Sequence, residues 1–316
     1  MWSELPLFPE QASSVAGRVD LLYFFLVAVA GIFSVLIFSL VFFFAIRYRR
    51  RPGNMAAARI HGSTVLEVLW TVIPLGLTMV MFGWGSLLFL RNARTPPGSF
   101  EIYVVAKQWM WKIQHPEGLR EINELHVPTG MPVRLVMTSE DVIHSFYVPA
   151  FRVKQDVLPG RYTSMWFQPT RAGKYHLFCA EYCGNQHSAM GGWVYVMEPA
   201  EYEKWLSGGS TGESMATTGQ GLFERLGCSS CHRSEGGGRG PSLEGLLGKK
   251  VQLDSGQAVV ADESYIRESI LNPRAKIVGG YQPLMPTFQG QVSEEQLLQL
   301  VAYLKSLKKA ERSTTQ

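Results

Sequence analysis

Residues 19–46 read VDLLYFFLVAVAGIFSVLIFSLVFFFAI, with Asp20 as the only charged side chain in the run. At about 1.5 Å of rise per residue, a helix of this length measures roughly 42 Å, which exceeds the hydrocarbon core of a bilayer. A cleaved signal peptide would have a shorter apolar core and a small-residue cleavage site, whereas the arginine-rich segment 47–51 follows this run. The run therefore predicts a transmembrane helix.

A second run, Val68 to Leu90, has no charged residue and would form a helix about 34 Å long. Pro74 lies inside it, which membrane helices tolerate when neighbouring groups satisfy the freed carbonyl. Positive charge concentrates in the loop between the runs, at Arg47, Arg49, Arg50, Arg51 and Arg59. The positive-inside rule then predicts a cytoplasmic loop, with both chain ends and everything after about residue 91 on the other side.

The two runs contain no histidine, since His61 lies in the loop between them. Without imidazole ligands, the two runs cannot by themselves hold a haem centre within the membrane, such as one that reduces oxygen. They are therefore predicted to anchor the chain to a larger partner. Glu67, at the edge of the second run, has two interpretations of equal weight. It is either an interfacial carboxylate or a point of proton uptake, because ionisable groups at a membrane edge often mark proton relays.

Between about residues 100 and 198 the pattern changes to short runs rich in β-branched and aromatic residues, separated by Pro and Gly. The predicted strands are FEIYVVA (100–106), QWMWKIQ (108–114), PVRLVMT (132–138), YTSMWFQ (162–168), KYHLF (174–178) and GWVYVM (192–197). Regularly spaced short strands with turn signals predict an antiparallel sandwich or barrel.

One loop in this β-rich region, Cys179 to Met190, reads CAEYCGNQHSAM and places two thiols, an imidazole and a thioether within twelve residues. Soft sulfur ligands combined with imidazole suit copper, and a weak thioether ligand is typical of copper electron-transfer sites. Two thiolates can bridge two copper ions, which spreads the charge and lowers the reorganisation on electron transfer. The loop therefore predicts a copper site with Cys179, Cys183, His187 and Met190 as ligands.

A local disulfide between Cys179 and Cys183 is the alternative in an oxidising compartment, with Met190 as core packing. For a bare C-x3-C pattern the two interpretations are about even. The presence of His187 and Met190 at this spacing favours the metal site. Spacing alone does not choose a further histidine ligand among His115, His126, His144 and His176.

A second cofactor signal lies near the C-terminus, in Cys228-Ser-Ser-Cys231-His232. C-x-x-C-H is the attachment signal of haem c: two thioether bonds hold the porphyrin and the histidine ligates the iron. A thioredoxin-type thiol pair is disfavoured by the histidine and by the lack of a βαβ pattern. Met285, flanked by prolines in QPLMP (282–286), is the predicted second iron ligand, with packing as its alternative role.

The order of these features resembles the subunit II family of cytochrome c oxidases, whose two-copper centre is called CuA. In that family two N-terminal spans precede a cupredoxin sandwich, an arrangement similar to residues 15–200 of this chain. The family motif C-x-E-x-C-x3-H-x2-M is met at every position by residues 179–190. Residues 216–310 resemble the small class I cytochrome c family. The predicted fold class is therefore a membrane anchor of two transmembrane helices, an all-β cupredoxin sandwich and an all-α class I cytochrome c domain.

The corresponding predicted divisions are residues 1–95 for the N-terminal segment and anchor and 96–200 for the cupredoxin CuA domain. A linker at 201–219 and a cytochrome c domain at 220–312 follow. The linker assignment depends on SGGSTGESMATTG (207–219), a composition typical of flexible segments.

The resemblance implies further metal ligands. His144, in SEDVIHSF (139–146), matches the remaining histidine ligand of CuA. Glu181 would ligate through its backbone carbonyl, with its carboxylate near a magnesium site shared with subunit I. Asp156, in KQDVLPG (154–160), matches a family loop near that magnesium, but a turn carboxylate is an equal interpretation.

The stretch from Lys107 to Trp111 resembles the family's aromatic segment, in which the first tryptophan lies on the route by which electrons arrive. Trp109 is the candidate for that role, with Trp111 beside it; core or interface packing is the alternative for either indole. Met110 stands where many members carry an aromatic residue.

The cytochrome c resemblance implies two structural details. The carbonyl of Pro241 would accept a hydrogen bond from His232. The final helix, predicted from Glu294 to Lys309 after Ser293 as N-cap, would pack on the helix preceding C-x-x-C-H through Phe223 and Tyr303.

The whole arrangement resembles subunit II of a caa(3)-type haem–copper oxidase. It implies that electrons are accepted at a covalent haem c, passed to a binuclear CuA centre and delivered to subunit I, which reduces oxygen to water and pumps protons. The implied partners are subunit I and further membrane subunits, a cytochrome c or respiratory-complex donor, and membrane lipid. The net charge of +4 gives no reason to expect a nucleic-acid partner, because it is small and much of it comes from the loop arginines. The expected location is a bacterial cell (inner) membrane, with both termini and the redox domains outside the cytoplasm.

Two alternatives remain at this stage. The small subunit of a CuA-containing nitric oxide reductase would carry the same copper motif, although the two-span anchor favours the oxidase. A copper-free structural subunit, as in quinol oxidases, would lack the ligand set that this chain retains.

Overall fold

The computed structural model describes residues 8–50, 62–209, 214–233 and 237–307. The chain divides into two compact units, one formed by residues 15–94 and the other by the segment before residue 15 together with everything after residue 94. The first unit is helical. The second contains a β-sandwich and a C-terminal helical domain (214–307).

The helical unit consists of α1 (Ala16–Arg47) and α2 (Thr64–Ala93), which extend beyond the two predicted runs at both ends. The hydroxyl of Ser63 caps α2 by accepting a hydrogen bond from the backbone N–H of Leu66 (3.5 Å), and Pro74 lies inside the helix. Both helices are long and apolar enough to cross a membrane, and the most apolar stretch of each is unburied within the described chain. This exposure distinguishes them from the core helices of a soluble protein.

The sandwich is built, in the described residues, from two five-stranded sheets with strand orders β3-β2-β1-β5-β8 and β4-β10-β9-β6-β7. The strands are β1 (Phe100–Lys107), β2 (Met110–Gln114), β3 (Arg120–Ile122), β4 (Glu124–Pro128), β5 (Val133–Ser139), β6 (His144–Val148), β7 (Val153–Val157), β8 (Thr163–Phe167), β9 (Gly173–Cys179) and β10 (Gly191–Met197). The predicted antiparallel arrangement is wrong for two pairs, since β1–β5 and β4–β10 are parallel. Parallel neighbours arise because each of these pairs is joined by a crossover connection and not by a hairpin.

All six predicted strand segments contain a strand, whereas β3, β4, β6 and β7 were not predicted. The missed strands are short, and β7 (VKQDV) has mostly polar, partly exposed side chains. Such segments lack the apolar alternation of a half-buried strand, and they become strands because neighbouring strands satisfy their backbone groups.

The inner faces of the two sheets meet in an apolar core. Its largest side chains, Trp111, Phe146, Phe151 and Phe167, are at most 1% exposed. Full burial of a large apolar side chain stabilises a fold by about 1.5–3 kcal/mol relative to exposure. This core therefore holds His144 at the start of β6 and Cys179 at the end of β9 in a rigid frame.

The predicted linker at 201–219 is largely helical. α3 (Pro199–Gly209) occupies its first half, and α4 (Met215–Arg225) begins before the linker was predicted to end. α4 starts here because the Ser214 hydroxyl accepts a hydrogen bond from Thr217 N–H (3.1 Å) and because Met215 is buried. The Gly/Ser-rich composition therefore did not reveal that a capped helix begins at Met215.

The helical domain contains α4, α5 (Glu263–Leu271) and α6 (Glu294–Ser306), with a short antiparallel pair, β11 (Lys250–Gln252) and β12 (Ala258–Val260). The predicted start of α6 is confirmed, because the Ser293 hydroxyl accepts from Gln296 N–H in a capping box. The predicted contact with α4 is also confirmed: the rings of Phe223 and Tyr303 lie 5.3 Å apart. The part of the predicted helix beyond residue 307 lies outside the described residues.

Candidate metal centre and haem-binding cavity

The loop from Cys179 to Met190 joins β9 to β10 at one end of the sandwich. The backbone N–H of Cys179 donates to the carbonyl of Met190 (3.0 Å), so the loop leaves and re-enters the sheet at adjacent points. A single 3₁₀ turn, His187–Ala189, closes it. Short-range geometry therefore turns the ligand-type side chains of this segment towards each other.

The sulfur atoms of the loop form a compact group. Cys179 Sγ lies 3.7 Å from Cys183 Sγ, and Cys183 Sγ lies 3.7 Å from Met190 Sδ. A disulfide requires an S–S distance of about 2.05 Å, and both cysteines are free thiols here. The carbonyl oxygen of Glu181 lies 3.3 Å from Cys179 Sγ. The two cysteines are therefore not cross-linked, and their sulfur atoms could act as separate metal ligands.

Each thiol faces one imidazole. His187 Nδ1 lies 3.4 Å from Cys183 Sγ, and His144 Nδ1, supplied by the first residue of β6, lies 3.9 Å from Cys179 Sγ. Pairing of β6 with β9, in which Phe146 lies opposite Cys179, brings His144 to the loop. Within the described chain, the group of three or more His, Cys, Asp or Glu gathered closely enough for one metal ion is His144, Cys179 and Cys183.

The other candidate histidines lie elsewhere. His115 Nε2 is 2.7 Å from Glu121, which also binds His126. His176 stacks on the sandwich surface with its ring centroid 3.7 Å from that of Trp193. The structure thus brings His144, and not these residues, to the sulfur group.

Asp141 orients His144. Its carboxylate lies 2.8 Å from His144 Nε2, which leaves Nδ1 directed at the sulfur, and it also accepts the backbone N–H of Gln108 (2.8 Å). Burial alone would raise the pKa of Asp141, but these hydrogen bonds outweigh it and lower the pKa. A carboxylate that fixes the ring of a ligand histidine is a common outer contact of metal sites. Asp141 was not predicted; its position three residues before His144 is the only sequence signal.

The thiol environment favours ionisation of one cysteine. Burial would raise the pKa of Cys179, but the hydrogen bond with His144 and nearby backbone groups outweigh it and lower that pKa. The thiolate is the form of cysteine that binds metals. The pKa of Cys183 is raised by burial and by Cys179, so Cys179 is the cysteine of the pair that ionises more readily.

The two predicted tryptophans contact this centre differently. Trp109 Nε1 donates to the carbonyl of Cys183 (3.1 Å), and the side chain of Gln108 donates to the same oxygen (2.8 Å). Gly184 permits this approach: its φ is +114°, and an added Cβ would lie 3.0 Å from Gln108 Nε2. Trp111 is fully buried, and its ring lies 6.0 Å from that of His144 in an edge-to-face arrangement.

The remaining predicted residues of the anchor and sandwich lie outside this group. Asp156 is half-exposed and accepts a hydrogen bond from the hydroxyl of Ser145 (2.8 Å), the neighbour of His144. The side chain of Glu181 is exposed. Glu67 is exposed in the first turn of α2, and the loop residues Arg51, Arg59 and His61 lie outside the described residues.

A cavity of about 730 Å³ lies in the helical domain, with mostly apolar walls. The side chains of the predicted haem site that line it are Cys228, Cys231, His232, Pro241 and Met285. Its volume lies within the range of cofactor sites, about 300–1,000 Å³. A covalently attached haem needs two thiols to bind the porphyrin and, here, an imidazole and a thioether to ligate the iron. All four groups line this one apolar cavity.

The backbone of Gly240 and Pro241 holds the imidazole of His232 in place in this cavity. His232 Nδ1 lies 2.8 Å from the carbonyl oxygen of Pro241, so Nε2 remains free for a metal. A Cβ on Gly240 would lie 2.7 Å from His232 Cε1, so only glycine fits beneath the ring. Gly240 was not predicted as a site residue, although it precedes the predicted Pro241 directly. These residues fit a haem c.

Comparison with known proteins shows the family of this chain. Residues 1–88 match the family "Cytochrome C oxidase subunit II, transmembrane domain", and residues 98–196 match "Cytochrome C oxidase subunit II, periplasmic domain". A relative named cytochrome c oxidase subunit 2, from Alkalihalophilus pseudofirmus, is 31% identical over 89% of this chain and 85% of its own length. The chain belongs to the cytochrome c oxidase subunit II family.

Two further similarities of this subunit II chain are as follows. Cytochrome c oxidase subunit 2 of Thermostichus vulcanus is 30% identical over 63% of this chain and 77% of its own length. A solved structure, the periplasmic domain of subunit II of cytochrome oxidase from Bradyrhizobium japonicum, is 30% identical and covers 37% of this chain and 96% of that one, with a TM-score of 0.36.

This subunit II chain carries an additional domain, because residues 216–308 match the family "Cytochrome c". It is thus a membrane-anchored component of a haem–copper oxidase, with a cupredoxin-like sandwich and a fused cytochrome c domain. The two redox domains imply copper and haem as cofactors, and other oxidase subunits as partners.

Proposed function

We propose that this subunit accepts electrons at a haem c, passes them to a binuclear CuA centre and delivers them to subunit I, where oxygen is reduced to water with proton pumping. The observation that carries the proposal is the convergence of six donors in one group. They are the side chains of His144, Cys179, Cys183, His187 and Met190 and the carbonyl of Glu181.

When bound, the two-copper centre as a unit and the haem would each supply one-electron oxidation and reduction. The chain supplies the geometry for this. Cys179 and Cys183 would hold the copper ions, while Asp141 holds His144 and the sandwich core prevents the ligands from rearranging. A ligand set that does not rearrange keeps the reorganisation on electron transfer small. In the helical domain Pro241 holds His232, and Met285 would be the second iron ligand.

Trp109 is proposed as the group through which electrons arrive at the copper centre. Its hydrogen bond to the carbonyl of Cys183 (3.1 Å) supports this role, because it joins the indole directly to the ligand loop. Trp111 is proposed to support His144 by packing against it.

We also propose an orientation of the chain in the membrane and a role in proton chemistry. The arginines that follow α1 support a cytoplasmic loop, with the redox domains outside the cytoplasm of a bacterial cell. The carboxylates of Glu181 and Asp156 are proposed to face a magnesium site shared with subunit I, and Glu67 is proposed as a point of proton uptake. A cytochrome c or a respiratory complex would be the donor.

The test measures the copper content, the haem content and the absorption spectrum of the purified subunit and of its Cys183→Ser variant. We expect the wild type to hold two coppers with a near-infrared mixed-valence band, and one covalent haem. Cys183→Ser should lose the band and copper while keeping the haem, because the two sites lie in different domains. Ser188→Ala, an exposed residue of the same loop, is the matched control and should retain both. A wild type that binds haem but no copper would contradict the proposal.

A further inference from the structure

The helical domain covers the outer face of the β3-β2-β1-β5-β8 sheet. Along β1, Ile102 and Val104 point into the sandwich core, whereas Tyr103 and Val105 point outward and are nevertheless only 4% and 3% exposed. They belong to one apolar cluster with side chains of α4, α5 and α6. The outer face of this sheet is therefore an interface within the chain.

Four charged side chains close this interface at the end of β1 that is remote from the copper loop. We call them the ionic clamp: Glu101 and Arg134 from the sandwich, and Glu263 and Lys305 from the helical domain. Arg134 lies 2.8 Å from Glu101 and 3.1 Å from Glu263, and Lys305 lies 3.0 Å from Glu263 and also contacts Glu101. Each charge thus has two opposite neighbours, one from each domain.

The ionic clamp is partly buried, with side-chain exposures between 13% and 26%. Burial would raise the pKa of Glu263, but Lys305 and Arg134 outweigh it and lower that pKa to about 2. Partly buried ion pairs are screened by salt much less than exposed ones. The hydroxyl of Tyr103 adds a hydrogen bond to Glu101 (2.5 Å).

A second set of polar contacts lies at the other end of the interface. Arg267 of α5 donates to the carbonyl of Gly160 (2.6 Å), and Lys112 of β2 lies 3.0 Å from Glu295 of α6. Lys112 also lies 3.0 Å from Glu140, which directly precedes Asp141, the residue that orients His144. The helical domain is therefore held at two separated places, which prevents it from pivoting.

The haem-binding cavity and the interface share the helices α5 and α6. Ile266 and Ile270 of α5 and Leu300 and Leu304 of α6 line the cavity, while residues of the same two helices contact the sandwich. The walls of the cavity and the interface with the sandwich are therefore parts of one packed apolar cluster.

We infer that the cytochrome c domain is a fixed relay, immobilised on the sandwich by the ionic clamp and the apolar interface, and not a tethered carrier that swings between donor and copper. Arg134 and Lys305 are positioning residues for transfer between the two centres. This inference rests on the proposed function, since it concerns the step from haem to copper. Its consequence is a transfer rate set by a constant distance.

The experiment measures that step in the complete oxidase, by photochemical reduction of the haem followed by optical detection of the copper band. For the wild type we expect the rate to stay unchanged as glycerol raises the solvent viscosity, and between about 0.01 M and 1 M salt, where the screening length falls from about 30 to 3 Å. A tethered carrier would slow roughly in proportion to viscosity. A viscosity-dependent wild-type rate would overturn the inference while leaving the proposed function intact.

The second arm reverses both cations of the clamp, in Arg134→Glu with Lys305→Glu. Four carboxylates would then meet in one partly buried cluster, where like charges repel strongly. We expect a transfer rate at least about tenfold lower that now depends on viscosity, with unchanged haem and copper spectra. Arg120→Glu, on the exposed edge strand β3, is the matched charge-reversal control and should leave the rate unchanged.

The outcomes of the two arms are distinguishable. Unchanged rates in the clamp variant, with both cofactors present, would overturn the assignment of the clamp as the positioning device. If the wild-type haem were reduced and the copper never followed, the proposed function itself would fail, whatever the state of the interface.

Discussion

Gly219 lies where α4 crosses α6, and a methyl group at this position tests how closely the two helices pack. A Cβ built on Gly219 would lie 2.0 Å from the carbonyl oxygen of Gln299 and 2.9 Å from Cβ of Tyr303. Cβ atoms essentially never approach other heavy atoms within 3.0 Å, so Gly219→Ala requires the helices to separate by about 1 Å.

The cost follows from the packing that such a separation disturbs. A gap of about 0.5–1 Å forfeits a quarter to a half of the dispersion energy between the facing atoms, and Leu222, Phe223 and Val301 are buried in this region. Overpacked cores lose typically about 1–3 kcal/mol, and we take the upper end because the obstacle is a backbone carbonyl. Alanine returns about 1 kcal/mol through its higher helix propensity. The net loss in unfolding free energy is therefore about 2 kcal/mol, or a fall in Tm of roughly 8–16 °C for a domain of this size.

The assay is thermal unfolding of the haem-loaded subunit, followed at the haem absorption bands, with the copper band reporting on the sandwich. Gly221→Ala is the matched control, because it lies in the same helix and no atom comes within 4 Å of the added Cβ. The control should be neutral or more stable by up to about 1 kcal/mol. If Gly219→Ala unfolded at or above the wild-type temperature, the tight crossing inferred here would be refuted.

Three further changes test other parts of the molecule. Met285→Ala should leave the haem attached but lower its reduction potential, because methionine with histidine raises the potential; a redox titration with an unchanged midpoint would show that another residue is the ligand. Glu263 has its pKa lowered to about 2 by Lys305 and Arg134, so its ionised form stabilises the folded domain fully above about pH 4.5. This stability should be lost as the pH falls from about 4.5 through about 2, and denaturation of Glu263→Gln should lack that contribution across the same range; equal pH profiles would contradict the pairing. Glu67→Ala should slow proton uptake by the assembled oxidase if this carboxylate takes up protons, and normal uptake in a pH-indicator assay would reduce it to an interfacial residue.

The parts of the two sites that the sequence determined by itself are local. Cys179, Cys183, His187 and Met190 fall within twelve residues, as Cys228 and His232 fall within five. A chain this short between ligands keeps them close in any compact conformation. The two apolar helices were likewise predictable, because a membrane span needs about 20 consecutive, predominantly apolar residues whatever its neighbours are.

The long-range parts were decided by the tertiary structure. His144 is separated from Cys179 by 35 residues, and the register of β6 against β9 brings it to the sulfur group. His115, His126 and His176 could not be excluded from spacing, because the strand neighbours of each were unknown. The resemblance to the family, and not the spacing, selected His144.

The ionic clamp is the clearest case of an arrangement that could not be predicted from the sequence. Glu101, Arg134, Glu263 and Lys305 come from four segments separated by up to 204 residues, and each alone is an ordinary surface charge in the sequence. Opposite charges of the clamp lie next to each other because β1 and β5 are parallel neighbours and α5 and α6 pack across both. The sequence determined which cofactors this subunit is built to hold. Only the tertiary structure decided how its two redox domains are joined, because that depends on which distant surfaces are complementary.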